Sequence, residues 1–261
     1  MDCSTQKFYH EHNIDTRKLV DAYFSDKPEM MFKDTSLKFP MEKLHHIFST
    51  GNTKGEILID VSTGPLVHHL FSACEFFKDI YLLRFREQCS MELNRWLNTR
   101  TGALDWNHAS SYVTALEGNS DQCEDKEMRL KTAIKQIVNC SFEKENITDP
   151  VVLPQADCII TTWLLEVTSK DENDYISHLR KITKLLKPGG HLILLGALNG
   201  TYYMVGQEKF HVFKYDENFA RNVLSGEGFI IDHCDVVILK KVVRDLTDVD
   251  ATLFITARKG N

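Results

Sequence analysis

The 261-residue sequence has no pair of cysteines spaced for a metal or redox motif. Its seven cysteines, Cys3, Cys74, Cys89, Cys123, Cys140, Cys158 and Cys234, are scattered, with no C-x-x-C and no His–Cys cluster at zinc spacing. That excludes a zinc-ribbon type of site and predicts free thiols in a reducing compartment. No apolar run approaches the ~20 residues that span a bilayer, and the opening MDCSTQKFYHEHN lacks the apolar core of a secretory signal. A cytoplasmic protein without membrane contact is expected. Positive charge is also scarce: 31 Lys and Arg stand against 37 Asp and Glu, a formal charge of −6. No basic stripe exists to neutralise a phosphate backbone, so the sequence argues against nucleic acid as a partner and favours a small molecule. Internal repeats and low-complexity tracts are absent as well.

What is present is an α/β pattern. Hydrophobic content of 43% over this length suits one large domain with a modest extension. Residues 1–50 carry helical periodicity, with Leu19, Val20, Tyr23 and Phe24 on one face and Met41, Leu44, Ile47 and Phe48 on another. They predict a helical N-terminal cap, separated by the polar break STGNTKGE from a second unit over 51–261. Strand patterns follow at 57–61, 80–85, 156–167 and 191–198, with helical patterns at 67–77, through Met91, Leu93 and Trp96, at 124–140 and at 171–186. This alternation predicts a doubly wound, mostly parallel sheet covered on both faces. DVVILKKVV and ATLFITARK near the end predict a closing antiparallel hairpin.

In such sheets ligands bind beyond the carboxyl ends of the strands. The first such place is LIDVSTGPL, where Gly64 allows close backbone approach and Pro65 suits the start of a helix. The second signal is LLKPGGHL, a helix stop feeding directly into an apolar strand. Together with FSACEFFKDI, ALDWNHAS, LEGN, ADCIITTWLLEV and YYMVGQEKF, these motifs resemble the nicotinamide, indolethylamine and phenylethanolamine N-methyltransferase family, which includes the thioether S-methyltransferase. The resemblance runs from about residue 7 to the C-terminus. It implies a Rossmann-like, seven-stranded methyltransferase domain over 51–261, S-adenosylmethionine as cofactor, a small amine or a thioether as substrate, and a monomer. Methyl transfer of this kind works mainly by alignment and exclusion of water, so no catalytic acid, base or metal ligand is assigned.

The resemblance carries the cofactor site onto Tyr23, Phe24, Ser62, Thr63, Gly64, His68, Arg84, Phe85, Ser141, Phe142 and Thr162. Several of these depart from the family's pattern. Ser62 stands where the family has a glycine, at a cost on the order of 1 kcal/mol if a positive φ is kept. Arg84 replaces an acid that accepts hydrogen bonds from the ribose hydroxyls, and arginine only donates. Ser141 replaces an aspartate that contacts adenine, while Phe85 and Phe142 keep apolar walls. On the substrate side, Gly196 replaces the acid that binds nicotinamide, and Glu166, Ala197, Tyr202 and Tyr203 are the candidate lining of an amine pocket, Glu166 by charge and the tyrosines by cation–π contact. The sequence thus supports two functions: a methyltransferase with a reorganised cofactor site, or a binding module that kept the fold and lost catalysis. An NADP enzyme, suggested by Arg84 alone, is opposed by DVSTGPL, which is no G-x-G-x-x-G. The adjacent pairs His45–His46 and His68–His69 are not spaced to share a metal, Trp96, Trp106 and Trp163 suit packing, and Lys240, Lys241 and Arg244 suit a solvated strand edge.

Overall fold

The computed structural model describes residues 6–27, 30, 32–51, 53–239 and 246–260. The cap begins with α1 (Thr16–Tyr23), whose N-terminus is held by the Asp15 carboxylate accepting from the amides of Arg17 and Lys18. A wide helical turn at Lys33–Lys38 leads into α2 (Phe39–Ser49). Then follow β1 (Gly55–Ser62), β2 (Phe77–Arg84), α3 (Glu87–Leu97), α4 (Asn107–Leu116), α5 (Cys123–Ala133), β3 (Ile134–Asn139) and β4 (Ala156–Thr162). The second half contains α6 (Leu165–Thr168), α7 (Glu172–Thr183), β5 (Leu186–Leu198), β6 (Tyr202–Val205), β7 (Glu208–His211), α8 (Glu217–Gly226), β8 (Phe229–Ile238) and β9 (Ala251–Lys259).

Seven strands form one sheet in the order β3-β2-β1-β4-β5-β9-β8, parallel from β3 to β5, with β9 antiparallel to β5 and to β8. β6 and β7 form a separate antiparallel pair. The apolar runs explain the burial. In β1, Leu58 joins one core with Phe48, Ile80, Ile160 and Phe254, while its neighbour Ile59 joins the opposite core with Leu83, Ile159, Leu179 and Ile182. Successive side chains face opposite layers, so a central strand must be apolar at both parities.

Four sequence expectations change. The segment 67–77 is not a helix but two single turns, His68–Leu70 and Ala73–Glu75, separated from one another. Its would-be first helical acceptor, the Leu66 carbonyl, takes a hydrogen bond from Arg84 at 2.8 Å, and the Leu70 amide donates to Val67 instead, at 2.9 Å. The pattern at 124–140 divides at Ala133, because Ile134 and Val138 pair beside β2. The strand at 156–167 stops at Thr162, where Trp163 takes a φ of 48° and turns the chain into α6. The closing hairpin begins earlier than its sequence suggested, at Phe229, and Lys240, Lys241 and Arg244 lie outside the described residues. No helix among the described residues is long and apolar enough to cross a membrane.

Candidate functional site

β1, β2 and β4 end side by side, with Ser62 opposite Thr162 and Arg84 opposite Asn139. The turn after β1 is anchored by the Thr63 amide donating to the Thr162 carbonyl at 3.0 Å. Ser62 is absent from the positive-φ positions, so the strain tied to a retained left-handed backbone does not arise there. Gly64 alone in the turn has that conformation, at φ +62°, and a Cβ on it would lie 2.9 Å from Leu19 of the cap. Its amide donates to the Tyr9 hydroxyl at 3.0 Å. Tyr9 is fully buried on an N-terminal strap that runs beside β7, with the Lys7 amide donating to Lys209 and His211 donating back to Lys7. It lies in a stretch whose polarity gave only the absence of a signal segment.

Beneath the turn is a buried charge cluster. Asp60 Oδ1 accepts from Ser62 Oγ at 2.6 Å and from His69 Nε2 at 2.7 Å. Arg84 Nη2 lies 2.7 Å from Asp60 Oδ2 as a charge contact, while the guanidinium donates to the carbonyls of Leu66 at 2.8 Å and Leu83 at 2.9 Å. Burial alone pushes the Asp60 carboxyl up, but Arg84 and His69 hold it down at about 2, so it is ionised. Neither Asp60 nor Arg84 exposes any surface. Sequence reasoning placed Arg84 here but missed His69, because nothing in an adjacent histidine pair says which ring turns inward.

Beside the cluster, Phe85 stacks on Phe142 with ring centroids 4.1 Å apart, and Phe142 stacks on His178 at 3.8 Å. The Ser141 amide donates to Ile147, and its hydroxyl accepts from the Glu143 amide at 3.2 Å. His68 is buried in an aromatic group with Phe24, Trp106 and Trp163. The Thr162 hydroxyl is buried without a hydrogen-bond partner among the described residues.

A separate cleft, with an interior of about 100 Å³, lies between the cap and the carboxyl ends of β1, β4 and β5. Of the candidate residues it gathers Tyr23, Phe24, Thr63, Glu166, Ala197 and Tyr203, together with Leu19, Phe32, Trp163 and Val249. Ser62, Gly64, His68, Arg84, Phe85, Ser141, Phe142, Thr162, Gly196 and Tyr202 do not line it. The Tyr23 hydroxyl lies 2.9 Å from the carbonyls of Met204 and Leu246, to one of which its proton goes, and accepts from the Met204 amide at 3.1 Å, tying α1 to β6. Tyr202 instead lies under the Lys209 ammonium, 4.0 Å from its ring centroid.

Among the described residues, Glu166 is the one Asp, Glu, Lys, Arg or His side chain in this lining. Only 1% exposed, its Oε1 accepts from the Ala197 amide at 2.7 Å. Burial raises its carboxyl to about 7, against the partial opposition of backbone hydrogen bonds. Beside it Gly196 packs against Tyr215, and a Cβ on Gly196 would lie 1.9 Å from the Tyr215 hydroxyl oxygen. Tyr215 therefore fills the space that a side chain at 196 would need. Trp163, at the hinge of the cleft, keeps its left-handed backbone at a cost of about 1–2 kcal/mol.

Comparison with known proteins agrees with this geometry. The model of the NNMT/PNMT/TEMT family matches residues 2–260. The chain is 32% identical to human (Homo sapiens) nicotinamide N-methyltransferase over 233 residues, 89% of this chain and 88% of that one. It is 34% identical to rabbit (Oryctolagus cuniculus) indolethylamine N-methyltransferase over 224 residues, 86% of this chain and 85% of that one. Among solved structures, the magnesium protoporphyrin IX methyltransferase of Synechocystis PCC 6803, crystallised with S-adenosylhomocysteine, shares the fold with a TM-score of 0.55 and 11% identity, over 94% of this chain and 93% of that one. With its sheet order, its glycine turn and a family match from one end to the other, the chain belongs to the NNMT/PNMT/TEMT family of S-adenosylmethionine-dependent methyltransferases.

Proposed function

We propose that this chain methylates the nitrogen of a small, largely apolar amine held in the cleft beneath the cap, with S-adenosylmethionine as methyl donor. The observation that carries this reading is the buried Glu166 carboxyl, the single acid among the described residues of a lining that otherwise consists of apolar and aromatic side chains and the hydroxyls of Thr35, Ser36, Thr63, Thr247 and Thr252. When bound, the donor supplies an electrophilic methyl group on sulfur, and the chain needs no nucleophile of its own. Its residues orient the acceptor and exclude water.

A carboxyl at about 7 is divided between its two forms near neutrality. An arriving ammonium favours the carboxylate, and the carboxylate then takes the ammonium proton, leaving the nitrogen lone pair free. Tyr23, Tyr203 and Trp163 line the same cleft and are its aromatic candidates for contact with that cation. A neutral thioether brings no cation for Glu166 to bind and no proton for it to take, so the amine is the better fit. Gly196, with no acid and no space for one, argues against a nicotinamide-type acceptor.

The donor fits one part of the site and not another. Gly64 in the left-handed conformation and the partnerless Thr162 hydroxyl suit a polar ligand at the turn. The end of β2 does not suit a ribose, since Arg84 has no acceptor and Asp60 is already engaged by three groups. That cluster favours the second reading, a binding module without turnover. Incubating the folded protein with S-adenosylmethionine labelled in its methyl group, and with arylalkylamines, thioethers and nicotinamide in parallel, separates the two. Label in an arylalkylamine supports the proposal. Label in a thioether or nicotinamide alone, or in no acceptor, refutes it.

A further inference from the structure

A fully buried arginine needs a reason, because guanidinium is costly to take from water unless every donor is engaged. Arg84 sits at the carboxyl end of β2, with no exposed surface. It performs there what a bound ligand would otherwise do for the turn. Its hydrogen bond to Leu66 fixes the residue that leaves the turn and diverts the Leu70 amide to Val67. Its charge compensates Asp60. Its neighbours are equally self-contained: the Tyr9 hydroxyl takes the Gly64 amide, and Phe85 lies on Phe142 at 4.1 Å, too close to admit a further ring between them. Among the described residues, Arg84 Nε alone of its nitrogens has no hydrogen-bond partner.

We infer that Arg84 is an internal occupant of the nucleoside end of the site, the residue that sets how weakly this chain holds an S-adenosyl ligand. The inference rests on the proposed use of that cofactor. It separates from a purely structural role because an occupant opposes the ligand while it stabilises the fold. A merely structural arginine would support both.

The test is isothermal titration with S-adenosylhomocysteine, alongside thermal unfolding, for the wild type, Arg84→Gln and Arg84→Lys. Glutamine keeps a donor for a turn carbonyl without the charge, and lysine keeps the charge. Arg84→Gln is expected to melt lower yet bind about tenfold more tightly or better, the effect of roughly one charged hydrogen bond, with Arg84→Lys staying near wild-type affinity. Binding that is unchanged or weakened in a folded Arg84→Gln overturns the inference. If that variant does not fold, the arginine side-chain N–H signal of Arg84 in 15N-labelled wild type decides. Its displacement on ligand addition supports occupancy, and its persistence through saturation, or no binding at all, refutes it. Binding by Arg84→Gln but not by the wild type upholds the inference and defeats the proposed activity. No binding by either protein defeats both.

Discussion

Replacing Gly196 tests the wall of side chains packed beside Glu166. A Cβ at 196 would lie 1.9 Å from the Tyr215 hydroxyl oxygen and 3.3 Å from its Cζ. The hydroxyl is therefore the group in conflict, and Tyr215 is buried at 4% exposure with little freedom to retreat. Overpacking of this kind costs about 1–3 kcal/mol. At roughly 2–4 °C per kcal/mol for a domain of this size, Gly196→Ala is expected to lower Tm by about 2–12 °C. The Tyr215 hydroxyl faces that of Tyr175, so Tyr215→Phe alone is expected to cost about 0.5–1.5 kcal/mol. In the double variant the conflicting oxygen is gone, and most of the loss is expected to return as a coupling on the order of 1–2 kcal/mol. Thermal and urea unfolding of the four proteins give the cycle. Equal losses from Gly196→Ala in both backgrounds would refute the packing described for this wall. The same contact means that an acid introduced at 196 by a single substitution would not recreate a nicotinamide site.

Asp60→Asn, which removes the charge facing Arg84 and His69, is expected to destabilise by about 3–5 kcal/mol, the cost of breaking a buried pair; a loss under about 1 kcal/mol in urea unfolding would mean that the cluster is not the buried ion pair described. Tyr9→Phe leaves the Gly64 amide without its partner and is expected to cost about 1–3 kcal/mol, read equally well as faster proteolysis of the N-terminal strap. Glu166 gives a pH signature. Its carboxyl rises from 4.5 to about 7 on folding, so its contribution is complete below 4.5 and is lost as pH climbs toward 7, for a total of roughly 3 kcal/mol. Glu166→Gln is expected to flatten stability across that window, and an unchanged slope would contradict the buried, unpaired carboxyl.

The sheet was legible because its strands are apolar at both parities: Leu58 and Ile59 serve opposite cores, and only a covered parallel strand tolerates that. The 67–77 segment was not legible. Its helical spacing is real, but Arg84 comes from a different strand to claim the Leu66 carbonyl, and a local pattern carries no record of such a contact. The same holds for β3, where pairing beside β2 overrides a helical pattern that continues past Ala133. At the site, residue types announced the departures at Ser62, Arg84, Ser141 and Gly196. Their consequences depended on distance: Ser62 relieves no strain but feeds Asp60, and Gly196 is vacant of a side chain because Tyr215 is there. Tyr9 carried no signal at all, since its role comes from a strap folding back over the turn.

The central claim, an amine held by Glu166, is tested most directly by titrating the protein, with S-adenosylhomocysteine present at high concentration, with an arylethylamine and with the alcohol of the same shape. The amine is expected to bind more tightly than the alcohol to the wild type, and Glu166→Gln to lose about tenfold in amine affinity, the worth of one buried charge-assisted contact, while leaving the alcohol unchanged. Equal affinities for the two ligands, or a Glu166→Gln protein that holds the amine as well as the wild type does, would contradict it.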